Sequence, residues 1–295
     1  MPPVAIFLKP VPSDGSPVVP DGFDLGTQYQ MVPVGGSRKV LLFTDGNEWM
    51  MITGGAAGAL RLTFPPTPPV TTEVVSGLTR FIIPKFAMLE LTLGGESAGA
   101  ADVILQPRDF SVTKSLRVSV KNKQQKKYAI RMLSDIRRST TRTKADASAV
   151  MVRVSDLFLQ QTNTELTPVG DPVDMTVSKD LGIPLFLDSG TNLSDIAKAT
   201  PGAVTDFWVY CTWDVADKVH GTSPVGETTG RMCFVEDGAA ANTPKGLQVF
   251  AHEIGHAFGL DHQLDADRLM FAHRNGSTRL TQLEIDKVNP SASGT

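Results

Sequence analysis

The chain has 295 residues, 41% of them hydrophobic, and a formal net charge of −3 at pH 7. That length leaves room for two domains, the composition is ordinary for a globular protein, and the slight negative charge argues against a nucleic-acid partner. No run approaches the roughly 18 apolar residues of a membrane span, so none is expected. The opening Met1–Pro10 has neither a basic start nor an adequate apolar core, so it does not read as a signal peptide. Glycine-rich export repeats are also missing. The expectation is an extracellular protein, or one exported by an unconventional route, with a cytoplasmic location still open.

Residues 1–25 are rich in Pro, Gly and Ser and read as an extended arm, with Val4–Leu8 as an edge strand. Residues 26–122 read as all-β. Short β-branched or aromatic runs recur between turn signals: Lys39–Phe43, Trp49–Ile52, Leu60–Phe64, Leu78–Ile83, Met88–Leu93, Asp102–Leu105 and Ser115–Val120. That strand count suits a small sandwich, and the pattern resembles a bacterial immunoglobulin-like domain. A structural or attachment module with a docking partner is the expectation for it. The basic run Lys121–Lys127 reads as a solvated linker, because it has too few charges and no interleaved aromatics for a nucleic-acid patch.

Residues 123–295 form the second expected domain, of α+β class. Tyr128–Ile136 reads as its first strand, and Lys144–Gln161, free of Gly and Pro, as a long helix packed on a sheet. Asp171–Val177, Leu185–Leu187 and Asp206–Trp213 are further strands, Ser194–Ala199 a short helix, and Thr229–Val235 the last strand before a second long helix. Cys211 and Cys233 fall on neighbouring predicted strands; paired and free states both stay open.

That second long helix carries the chemistry, in Ala251-His252-Glu253-Ile254-Gly255-His256-Ala257-Phe258-Gly259-Leu260-Asp261-His262. Residues four apart on a helix lie nearly above one another, so His252 and His256 can converge on one ion. Glu253 points about 100° further round, where it can reach a water on the open side of a metal. Gly259 can adopt the left-handed conformation that ends a helix, which would return His262 beneath the same ion. Three imidazoles and one open position describe a catalytic Zn²⁺ site, one ion per chain. Thr243 is the expected N-cap, with Pro244 in the first helical turn.

This His-Glu-x-x-His-x-x-Gly-x-x-His pattern, followed by a methionine, resembles the signature of the metzincin metallopeptidases. Met270 stands eight residues after His262, a spacing similar to the matrixin branch, and Arg279–Val288 resembles a matrixin closing helix. The resemblance implies zinc ligands at His252, His256 and His262, a general base at Glu253, hydrophobic support at Met270 and an active-site helix under a mixed sheet. It also implies an endopeptidase acting on protein or peptide substrates, laid along the sheet edge at Thr229–Val235. Phe271, Ala272, His273 and Arg274 match by position the wall of the specificity pocket.

The chain departs from the pattern in two places. The residue after Phe271 is Ala272, so no tyrosine ligand is expected, and no cysteine precedes Cys211 to cap the zinc. His220 reads as a loop histidine. Asp261, Asp265 and Asp267 lack the spacing of a calcium loop, so Ca²⁺ is unsupported. The competing reading is a toxin-like effector or adhesin-like binding module in which the peptidase domain is secondary.

Overall fold

Alternating burial along the first third of the chain builds two sheets around one apolar cluster. The computed structural model describes residues 3–12, 19–56, 58–187, 190–200, 202, 204–215, 226–238, 243–272 and 276–290. Two compact units emerge: residues 1–124, 160–163 and 281–295 form one, and residues 125–159 and 164–280 the other. The division is therefore not a single cut in the chain.

The strands of the first unit are β1 (Ala5–Leu8), β2 (Phe23–Asp24), β3 (Tyr29–Pro33), β4 (Ser37–Thr44), β5 (Trp49–Gly55), β6 (Leu60–Thr63), β7 (Thr71–Val75), β8 (Leu78–Ile83), β9 (Met88–Gly95), β10 (Gly99–Pro107) and β11 (Lys114–Lys121). They order as β1-β4-β9-β6 in one sheet and β2-β3-β11-β10-β5-β8-β7 in the other. Val40 and Leu42, Leu89, Leu91 and Leu93, Val103 and Leu105, and Leu116, Val118 and Val120 are buried at a period of two, so one face of each strand feeds the shared core around Trp49 and Met51. The expected strands are present, and β2, β3 and β7 are additions. Strand β7 was hidden because its side chains are mostly exposed. Strand β3 pairs in parallel with β11, whereas the hairpin signals in the sequence point only to antiparallel neighbours.

The second unit contains β12 (Gln124–Ser134) from Gln125 on, α1 (Lys144–Thr162) as far as Leu159, β13 (Thr164–Pro168), β14 (Val173–Thr176), α2 (Gly190–Ala199), β15 (Phe207–Thr212), β16 (Gly226–Thr229), β17 (Met232–Glu236) and α3 (Pro244–Ala257). Its sheet runs β13-β12-β15-β17-β16, with β14 also on β12. Strands β12, β15 and β17 are parallel, and β16 runs antiparallel to β17. The sheet is thus mixed, as an α+β metallopeptidase-like domain requires.

Two strand expectations are corrected here. Leu185–Leu187 forms only an isolated bridge between Leu185 and Val215. Thr229–Val235 is not one strand but a hairpin, because Gly230 sits at φ 59° and reverses the chain there. Among the described residues the sheet edge is consequently β16.

The reading of the basic run is corrected in part: Asn122, Lys123, Gln125 and Lys127 are exposed, but the run is shared between two strands, β11 ending at Lys121 and β12 beginning at Gln124. The Lys121 side chain is 0% exposed, with Nζ 2.7 Å from the Asp286 carboxylate. That ammonium also donates to the Asn289 carbonyl, and the Tyr29 hydroxyl donates to Asp286 Oδ1 at 3.2 Å. Asp286 lies on the closing helix α4 (Gln282–Val288), whose N-cap Thr281 forms a capping box with Glu284. Burial lowers the Lys121 pKa, with Asp286 partly opposing the shift.

Asp286→Ala should therefore strand a buried ammonium and cost about 2 kcal/mol of stability, less than a fully enclosed pair because the Asn289 carbonyl remains. Thermal or denaturant unfolding reads this directly. A parent-like midpoint would show the pair to be idle.

Candidate metal centre

Helix α3 begins and ends as its sequence dictates. The Thr243 side chain accepts from the Gly246 N–H at 3.0 Å, and Pro244 needs no hydrogen bond at that position. At the far end Gly259 has φ 81°, its N–H donates to the His256 carbonyl at 2.8 Å, and Leu260 N–H donates to the Gly255 carbonyl at 2.9 Å. Those bonds satisfy the last carbonyls and swing the chain back, which brings His262 under the helix.

His252 Nδ1 lies 2.9 Å from the Leu269 carbonyl, and His256 Nδ1 lies 2.8 Å from the Leu260 carbonyl. A carbonyl only accepts, so each Nδ1 carries the hydrogen and the lone pair falls on each Nε2. The Nε2 atoms of His252, His256 and His262 are 3.1, 3.1 and 3.2 Å apart. Tetrahedral zinc with bonds of 2.0–2.1 Å needs nitrogens about 3.3 Å apart. The three side chains therefore fit a zinc ion, and among the described residues they are the group that could hold a metal. His252 is buried, His256 half-buried and His262 exposed, so the cluster opens toward solvent on the His262 side.

Beneath it Met270 is 0% exposed. The segment on either side is pinned: Leu269 N–H donates to the Arg279 carbonyl at 2.7 Å, and Gln263 N–H to the Met270 carbonyl at 2.8 Å. A Cβ on Gly255 would meet Met270 Sδ at 2.5 Å. Gly255 thus lets the methionine pack against α3 and keeps the Leu269 carbonyl in reach of His252.

Met270→Leu, a swap of similar volume, should cost under about 1.5 kcal/mol and keep full zinc content. Gly255→Ala should weaken zinc binding more than Met270→Leu does. A competition titration against a chelating dye orders the two, and the reverse order would remove this role from Gly255.

Glu253 is 2% exposed. The Thr228 hydroxyl lies 2.7 Å from its Oε2 and 2.9 Å from its backbone carbonyl. A Cβ on Gly226 would come within 2.6 Å of Glu253 Cγ and 2.8 Å of Oε1. Gln248, one turn before His252, accepts from the Gly276 N–H and ties the segment after the methionine to α3. Gly226, Thr228, Gln248 and Gly255 all escape sequence reasoning.

Of the expected pocket wall, Phe271 and Ala272 are half-buried, and Phe271 bridges Gln263. His273 and Arg274 lie outside the described residues, as does His220. Asp265 accepts from Asp267 N–H and pairs with Arg268, so it is engaged in its own turn. Cys211 and Cys233 are free, buried thiols; burial pushes Cys211 up to about 12 and Cys233 higher still.

The model of metallo-peptidase family M12, in its reprolysin-type form, matches residues 113–291. The chain belongs to that family. This M12 chain is a zinc metallopeptidase, a hydrolase of peptide bonds, with the His252, His256 and His262 group fitting the metal. The matrixin branch suggested by the position of Met270 is not the branch that the matching model represents.

Among solved structures, archaemetzincin from Methanopyrus kandleri is similar at TM-score 0.37 and 17% identity, the match covering 58% of this chain and 89% of that one. A zinc-dependent peptidase from Methanocorpusculum labreanum is similar at TM-score 0.36 and 12% identity, covering 55% and 100%. Metalloproteinase-II from Bacteroides fragilis is similar at TM-score 0.38 and 8% identity, covering 90% and 86%. No curated protein matches the M12 chain.

Proposed function

We propose that the protein is a zinc endopeptidase whose general base is Glu253 and whose metal ligands are His252, His256 and His262. The observation that carries this reading is the convergence of three Nε2 atoms at 3.1–3.2 Å, with a buried carboxylate next to the first ligand in sequence. When bound, zinc supplies a Lewis acid that polarises the scissile carbonyl and acidifies water.

The chain's own groups do the rest. Nδ1–H bonds to the Leu269 and Leu260 carbonyls fix the tautomers and ring planes of His252 and His256, so neither of these two has to reorient on binding. The Glu253 carboxylate takes a proton from the attacking water and returns it to the leaving amine. Met270 packs beneath the ligands and binds nothing.

Strand β16 ends its sheet. Its outer edge can hold an extended segment by main-chain hydrogen bonds without regard to side chains. Substrates are therefore unfolded or loop segments of protein, selected by a pocket walled by the chain after Met270. The peptidase part runs from about residue 123. The N-terminal part, residues 26–122, is an immunoglobulin-like sandwich that docks the enzyme on a partner in an extracellular setting. Cleavage-site profiling with an unfolded protein or peptide library tests the substrate class. Hydrolysis confined to di- or tripeptides would overturn it.

A further inference from the structure

The Glu253 carboxylate is held by the strand opposite it, through two positions with no assigned role. Gly226 and Thr228 are two apart on β16 and so project from the same face of the strand. At the first, any side chain would overlap Glu253, with Cγ at 2.6 Å and Oε1 at 2.8 Å from an added Cβ. At the second, the hydroxyl faces two acceptors of Glu253, the carbonyl at 2.9 Å and Oε2 at 2.7 Å.

A threonine hydroxyl has one hydrogen, and neither acceptor can donate while the carboxylate is ionised. The Cys233 thiol also reaches the Glu253 carbonyl, at 3.5 Å. That contact leaves the Thr228 hydrogen for the carboxylate, where a charge-assisted bond is the stronger one. One carboxylate oxygen is then tied to β16, and Gly226 gives the other the space to stay where it is.

We infer that Thr228 is a positioning residue: it fixes the Glu253 carboxylate through its Oε2. The inference rests on the general-base reading of Glu253. It also couples the two halves of the site, because β16 is the strand proposed to hold the substrate. A polypeptide aligned on β16 is thereby aligned with the base by a single short strand. Misplacing a reacting group by about 1 Å can cost about 10²-fold in rate, which sets the scale of the effect.

The test compares Thr228→Val, Thr228→Ser and Glu253→Gln with the parent, all zinc-loaded. Thr228→Val should lower kcat by about 10- to 100-fold with KM near the parent value, while zinc content stays parent-like. Thr228→Ser should recover most of kcat, because it restores the hydroxyl and nothing else. A second readout needs no turnover: affinity for a peptide hydroxamate, a metal chelator whose acidic N–O–H needs a nearby acceptor. Thr228→Val should weaken that affinity when Glu253 is present and leave it unchanged in a Glu253→Ala background.

Parent-like kcat in Thr228→Val, failure of Ser to rescue, or equal hydroxamate losses in both backgrounds would each overturn the positioning role. If Glu253→Gln is inactive while Thr228→Val is parent-like, only this inference fails. If Glu253→Gln stays active, the base assignment itself is wrong.

Discussion

His256→Ala is expected to purify without zinc and without peptidase activity. Its Nε2 is 3.1 Å from both other ligand nitrogens, so its loss leaves two donors 3.2 Å apart and an ion with half its coordination open. His256 also pins the chain after the helix, since its Nδ1 bonds the Leu260 carbonyl at 2.8 Å. Without that bond the turn carrying His262 loosens, and the third ligand is lost together with the second. Metal analysis should fall from one zinc per chain to background.

Stability should follow by mass action. A metal held at 1,000 times its Kd stabilises the native state by about 4 kcal/mol, so both the variant and the chelated parent should unfold earlier, and only the parent should recover with added zinc. Undiminished zinc in His256→Ala would mean that the ion sits elsewhere.

Glu253→Gln is expected to give the complementary result, a folded and zinc-loaded protein with almost no turnover. The amide has nearly the shape of the carboxylate and can still accept the Thr228 hydroxyl, which lies 2.7 Å from Oε2. It cannot take and return a proton near neutral pH. General acid–base assistance is worth about 10²–10⁴-fold, and the loss should fall on kcat. Zinc content should match the parent because no ligand changes. Parent-like turnover would remove Glu253 from the proton path.

The metal group could be read directly because its determinants are local. His252, His256, Gly259 and His262 fall within eleven residues, and the periodicity of a helix plus one left-handed residue is enough to converge three imidazoles. What holds those residues was not readable. Thr228 and Gly226 reach Glu253 only because Gly230 turns the chain, and a lone glycine before an apolar run does not announce a hairpin. Gly255 is explained by Met270, fifteen residues later, through a contact that no spacing rule predicts.

The same holds for the ends of the fold. Lys121 looked like one lysine of a solvated run, yet it is buried against Asp286, a partner 165 positions away. The closing helix was readable as a helix from its Thr281 cap and Glu284. Its grouping with the N-terminal strands was not, since it depends on Tyr29 and Lys121 rather than on anything near it in sequence. Periodicity located most strands of the first unit, and failed at β7, where exposure leaves no alternation to read.

The most direct measurement follows one preparation through metal removal and return, with an unfolded protein as substrate. The zinc-loaded chain should cleave it, the chelated chain should not, and one equivalent of zinc should restore the original rate in the parent but not in Glu253→Gln. Cleavage that persists after complete removal of zinc, or a zinc-loaded parent that cleaves no unfolded protein, would contradict a catalytic zinc at His252, His256 and His262 working with Glu253.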